Sequence, residues 1–140
     1  LLQPRQAELT PTARQQIERI YARALADTGH MQAAIAAYDA LVKSYPRDGK
    51  LHESYAQLLS QQNDPQTLKK ALAKWSEIFQ RSDDGSERWF RAEYNMALLN
   101  YRLGDKQQAR RIIKRLESLY PSMGGPQLKS QFLDLLAKCP

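Results

Sequence analysis

Two histidines, one cysteine, a pair of neighbouring aspartates and a dense row of cations are the residues whose types could carry chemistry. His30 falls at a turn and His52 near a helix start, with no cysteine or second histidine at the spacing a zinc site needs, so both read as surface histidines and no metal is expected. Cys139, beside the terminal Pro140, is the only cysteine; it excludes an intrachain disulfide or a cysteine cluster and reads as an incidental residue near a fraying end. Asp83 and Asp84 are a carboxylate pair, but adjacent residues in a Gly-Ser loop rarely divide into a general acid and a general base. They read as loop solvation and helix capping. There is no glycine-rich phosphate loop, no nucleophile elbow and no Ser-His-Asp arrangement identifiable by context. These residues point away from an enzyme and imply no cofactor.

The cations are organised differently. The 140 residues carry a formal charge of +6, and Arg102 to Arg115 holds six cations against Asp105 alone, a net +5. Lys106, Arg110 and Lys114 recur every four residues, and Gln107, Arg111 and Arg115 form the adjoining row. Such a stripe could meet phosphate or an acidic surface, which gives the alternative reading of a polyanion-binding module for nucleic acid or acidic polysaccharide. No aromatic residues alternate with it and no base-reading motif accompanies it, so a solvated outer face is the plainer reading and nucleic acid is not the expected partner.

The elements that must position these residues are helices. Apolar residues recur at three- and four-residue steps in seven segments, and nowhere does the period-two alternation of a half-buried strand appear. Thr10-Pro11 opens the first segment with an N-cap hydroxyl and a proline in the first turn; Ile17, Ile20, Tyr21, Ala24 and Leu25 make its apolar stripe, and Gly29 stops it. Tyr45-Pro46 ends the second, Asp48 caps the third, and Asp64-Pro65 starts the fourth. Ser86 caps the fifth, Gly104-Asp105 separates fifth from sixth, Leu119 closes the sixth stripe before Tyr120-Pro121, and Gly124-Gly125-Pro126 resets the chain for a last helix. No apolar run approaches the ~20 residues of a membrane span. The start, Leu1 to Arg5, does not read as a secretory signal and lacks an initiating Met; the expectation is an excerpt of a longer chain, with the compartment left open between cytoplasm and periplasm.

Laid on itself, the chain repeats. Ala22 and Leu25 return as Ala56 and Leu59 at a shift of 34; Ala34, Tyr38 and Leu41 return as Ala71, Trp75 and Ile78 at 37, and then as Ala109, Ile113 and Leu116 at a further 38. A helix pair copied along a chain is the signature of a solenoid that buries a shared core. A small residue in the first helix, a Leu-Gly-Asp type turn, a small residue early in the second, an aromatic and a closing proline resemble the tetratricopeptide repeat. Ala22, Leu25, Gly29, Ala34, Tyr38, Leu41 and Pro46 carry the resemblance in the first repeat, and Ala97, Leu103-Gly104-Asp105, Ala109, Ile113, Leu116 and Pro121 in the third. The second departs from the pattern: its turn is longer by three residues around Asp64-Pro65-Gln66, Asn63 replaces the turn glycine, and Asp83 stands where the proline should close it.

The resemblance implies an all-α, right-handed α-α superhelix of antiparallel hairpins: one domain over 1–140, with repeats at about 15–48, 49–83 and 90–121 and a capping helix at about 125–138. It implies a non-catalytic scaffold that binds a peptide segment, a partner protein or another domain of its own chain through a curved helical surface. The family's inner wall, carried over residue by residue, falls on Arg19, Arg23, Lys50, Glu53, Gln57, Arg91, Tyr94, Leu98 and Tyr101. Arginines offer planar paired donors to carboxylates and tyrosines offer large contact area, which suits an extended acidic or C-terminal peptide. The subgroup that clamps chaperone tails uses asparagines where this chain has Arg23 and Ser54, so that ligand is not expected.

Overall fold

The computed structural model describes residues 9–140; the start at 1–8, on which the signal-peptide reading rests, lies outside them. The described residues form seven helices and no strand: α1 (Pro11–Asp27), α2 (Met31–Ser44), α3 (Gly49–Ser60), α4 (Pro65–Arg81), α5 (Glu87–Arg102), α6 (Lys106–Leu119) and α7 (Pro126–Ala137). The helices begin where side-chain oxygens can satisfy orphan N–H groups. Thr10, Asp48, Asp64, Ser86 and Asp105 each accept from the N–H three residues on, at 3.1, 3.1, 2.9, 3.2 and 3.0 Å. Gly29 and Gly104 turn the chain after α1 and α5 with φ of +83° and +91°, a conformation glycine adopts without a Cβ penalty.

The residues divide into two compact units, one ending at Leu51 and the other running from His52 to Pro140. In the first unit α1 and α2 pack as a hairpin. Ala22 and Ala34 are completely buried, and Tyr38, Leu41 and Val42 fill the space around them. The small side chains let the two backbones approach closely. The α1 stripe is narrower than its spacing suggests: Ile17, Ile20 and Tyr21 are exposed, and Ala22 is the buried residue of this helix. Periodicity reports which residues share a face, not whether that face is covered.

In the second unit α4 lies against α5, α5 against α6, and α7 against both α5 and α6. Ala56, Ala71, Ala97 and Ala109, the counterparts of Ala22 and Ala34, are likewise completely buried. Trp75 joins α3 to α4: its fully buried indole N–H donates to Ser60 Oγ at 3.0 Å, and that hydroxyl donates to the Ala56 carbonyl at 2.8 Å. A buried indole thus keeps its partner, as its polar atom requires. Trp89 sits among Phe79 (5.1 Å between ring centroids), Phe90 (5.1 Å) and Tyr120 (5.0 Å), gathering α4, α5 and the end of α6. Phe132 and Leu135 bring α7 onto that core.

Three local expectations change. His52 is buried where the spacing alone suggests a surface position, since it lies on the same side of α3 as Tyr55, Ala56 and Leu59, which are buried too. Cys139 is buried too; its N–H donates to Leu136 O at 2.9 Å and its carbonyl accepts from Arg110 at 3.3 Å, so the chain end is tied down. Leu119, counted in the α6 stripe, is exposed where the helix runs out.

Candidate functional site

In the second unit a polar cluster joins α3 to α5. Glu53, on α3, is buried, and two arginines one turn apart on α5 close on it. Arg88 Nε donates to Glu53 Oε1 at 2.9 Å; Arg91 donates through Nε to Oε2 and through Nη2 to Oε1, both at 2.8 Å. The Arg91 contact is the paired, planar geometry in which a guanidinium binds a carboxylate most strongly. Burial by itself pushes the Glu53 carboxyl up, but the bonds from Arg91 and Arg88 together outweigh it and hold the group below the usual carboxylate range. Two cations on one carboxylate leave a net positive charge. Glu87, exposed and 3.8 Å from Arg91 Nη1, adds a second acid at the rim.

Arg91 also stands on the wall of a cleft of about 330 Å³ between the start of α5 and the turn into α7. Phe90 and Leu128 give the cleft an apolar floor, while Glu87, Arg91, Gln127 and Gln131 give it polar edges. Gly124 makes the turn possible. Its φ is +86°, and a Cβ there would come within 2.8 Å of Leu128 Cδ2 and 3.0 Å of Phe90. At the far end of α5, Arg102 donates to the carbonyls of Ser60 and, at 2.9 Å, Gln62, satisfying the end of α3.

The expected inner-wall residues take several places. In the first unit Arg19 pairs with Asp48 at 3.5 Å, Arg23 is exposed and 3.8 Å from Asp27, and Lys50 is exposed. In the second, Gln57 is exposed, while Glu53 and Arg91 are bonded to each other. Tyr94, Leu98 and Tyr101 are half-buried against the core, Tyr94 meeting Phe132 of α7 edge-on at 5.2 Å. Burial pushes the Tyr94 hydroxyl up. The aromatic patch of α5 thus serves as the seat of α7. Arg88 is a functional candidate that the sequence does not single out. The one signal is the one-turn spacing of Arg88 and Arg91 on a helix repeating the α3 pattern.

The basic row of α6 is exposed at Lys106, Arg110, Arg111, Lys114 and Arg115. Arg110 reaches the Cys139 carbonyl, Arg111 reaches Gln108 Oε1 at 3.3 Å, Lys114 lies 3.7 Å from Glu117, and Lys106 stands 5.9 Å from the centre of the Tyr101 ring. Arg115 acts electrostatically on Glu93 of α5, whose burial pushes its carboxyl up to about 7 against that attraction.

Helix hairpins copied along the chain, with small residues at their contacts and a polar cluster linking successive first helices, define a helical-repeat protein. Residues 20–48 and 91–122 match the tetratricopeptide repeat, a repeat that generally mediates protein–protein interaction. The matched segments fall on the first and third expected repeats. Among curated proteins, cellulose synthase operon protein C of Salmonella typhimurium (strain LT2) is 50% identical over 46 residues, covering 33% of this chain. The match spans 4% of that protein's length.

Proposed function

We propose that this chain is a non-catalytic scaffold that holds an acidic or C-terminal peptide segment of a partner at the α3–α5 face of its second unit. The observation that carries the reading is the convergence of Arg88 and Arg91 on Glu53 beside a preformed cleft. There the two guanidiniums are already oriented on Glu53, and the second acid beside them, Glu87, is an exposed side chain 3.8 Å from Arg91 that a ligand carboxylate can displace. A ligand carboxylate would take the free edges of the guanidiniums, and its apolar side chains would lie on Phe90 and Leu128. Gln57 of α3 supplies an exposed amide on the same helix row. In the first unit Arg19, Arg23 and Lys50 offer a second cationic row of the same kind. The name of the Salmonella relative, a protein of a cellulose synthase operon, suggests a setting beside a polysaccharide synthase.

Fluorescence anisotropy with a panel of acidic C-terminal peptides tests the site. Wild type should bind members of the panel, and Glu53→Gln, which releases both arginines, should bind them more tightly. Equal affinity for Glu53→Gln and wild type, with the fold intact by circular dichroism, would dismiss the α3–α5 face. The polyanion reading of α6 draws support from one observation: of its five cations, only Lys114 has a carboxylate within 4 Å among the described residues. Binding through that row would be lost in high salt, whereas the oriented pairs at Glu53 are screened less.

A further inference from the structure

The cationic side of α6 ends on a bare leucine. Ala109, Ile113 and Leu116 take up the other side of this helix and are buried in the core of the second unit. At about 100° per residue, Arg110, Lys114, Arg111 and Arg115 fall on the arc facing away from that core, with the neutral Gln107 and Ser118 among them, and all six are exposed. Arg111, Arg115 and Leu119 form one column at four-residue steps, ~12 Å long, and Leu119 is 61% exposed. On the opposite flank Arg110 donates to the Cys139 carbonyl at 3.3 Å, which brings the exposed Lys138 beside the row. The acids of the helix and its cap are engaged locally: Asp105 accepts from the Gln108 N–H at 3.0 Å, and Glu117 lies 3.7 Å from Lys114.

We infer, resting on the polyanion reading of α6 and apart from the peptide site at Glu53, that this face seats the second unit on the anionic surface of a phospholipid bilayer. The side chains supply both contacts that such a surface offers. Three of the five α6 cations are arginines, whose planar guanidiniums meet headgroup phosphates through paired N–H bonds. Leu119, at the end of the arginine column, enters the boundary between headgroups and acyl chains while the apolar side of α6 stays in the core. Each cation near an anionic bilayer multiplies partition about fivefold. Several acting together therefore hold a chain in which, among the described residues, no helix is long and apolar enough to cross. A single nucleic-acid strand is gripped by stacked aromatic side chains as well as by charge, and α6 has none. A soluble polyanion of any kind engages the cations and leaves Leu119 in water.

Vesicle flotation of the intact chain at low ionic strength tests this, with phosphatidylcholine alone and with about one third phosphatidylglycerol added. The chain should partition onto the anionic vesicles at least about tenfold more than onto the neutral ones. Arg111→Gln with Arg115→Gln, both exposed and so compatible with the fold, should cut that binding about tenfold or more. Arg14→Gln with Lys43→Gln removes the same charge from exposed positions of α1 and α2 and should change it little. Leu119→Ser should weaken vesicle binding several-fold and leave binding to soluble polyphosphate as it was. Equal partition onto neutral and anionic vesicles overturns the inference. So does equal loss from the two charge pairs, which reports net charge alone, or vesicle binding that Leu119→Ser does not move. Polyphosphate held through Arg111 and Arg115 without vesicle binding overturns the bilayer seat while the polyanion reading stands, and binding of neither probe removes both.

Discussion

Glu53 and Glu93 are driven in opposite directions by the same fold. Glu53 is held below the usual carboxylate range; burial is its largest single influence and raises it, but Arg91 and Arg88 together reverse the sign. Its stability contribution is present above the unfolded value and is lost as the pH falls through the folded one. Glu93 is raised to about 7 by burial, with Arg115 only partly opposing. Between the ordinary glutamate value and about 7 the folded state holds a proton that the unfolded state has released, so stability falls as pH rises through that window and levels off above it. Glu93→Gln should remove this loss and stabilise the chain at pH 8 by on the order of 1–2 kcal/mol, less than the full shift because solvent screens a half-buried group. Urea melts of both proteins at pH 5 and pH 8 check it; a Glu93→Gln advantage at pH 5 equal to that at pH 8 contradicts the assignment. The alanines make a second residue-scale case. Ala56 is completely buried, so Ala56→Arg forces both overpacking and a charge into a closed contact, at a cost of several kcal/mol. A thermal melt that does not move would refute that placement.

At the scale of elements, α7 depends on a turn through Met123, Gly124 and Gly125, all at positive φ. Gly124→Ala places a Cβ against Leu128 and Phe90 and strains a positive φ, which should destabilise the second unit by about 1–3 kcal/mol. Loss of α7 protection in hydrogen exchange should exceed that of α4, and uniform loss over both helices would show that the turn does not act on α7 alone. The helices themselves are legible in the amino-acid sequence. Thr10, Asp48, Asp64, Ser86 and Asp105 announce starts because a short polar side chain can satisfy a nearby N–H, and that chemistry is local. The faces are less legible. Ile17, Ile20 and Tyr21 have the spacing of a buried stripe, yet burial needs a neighbour that spacing cannot supply. His52 and Cys139 turn inward for the same reason, each through contacts made by the folded chain rather than by its immediate sequence.

Over the whole molecule, the matched alanines and the all-helical hairpins can be read from the chain because a copied module repeats its close contacts. The Glu53 cluster cannot, since Arg88 and Arg91 lie 35 and 38 residues away along the chain and only packing brings them to one carboxylate. Repeats of the matched kind generally mediate protein–protein interaction, while the choice between an oriented arginine pair and a diffuse cationic row is a question of geometry and screening. The most direct measurement is a titration of the isotope-labelled chain with an acidic C-terminal peptide, followed residue by residue by NMR at low and high salt. Shifts should gather on Gln57, Arg88, Arg91 and the cleft walls at Phe90 and Gln127, and they should persist in high salt. Shifts confined to Lys106–Arg115 that vanish with salt would contradict the account.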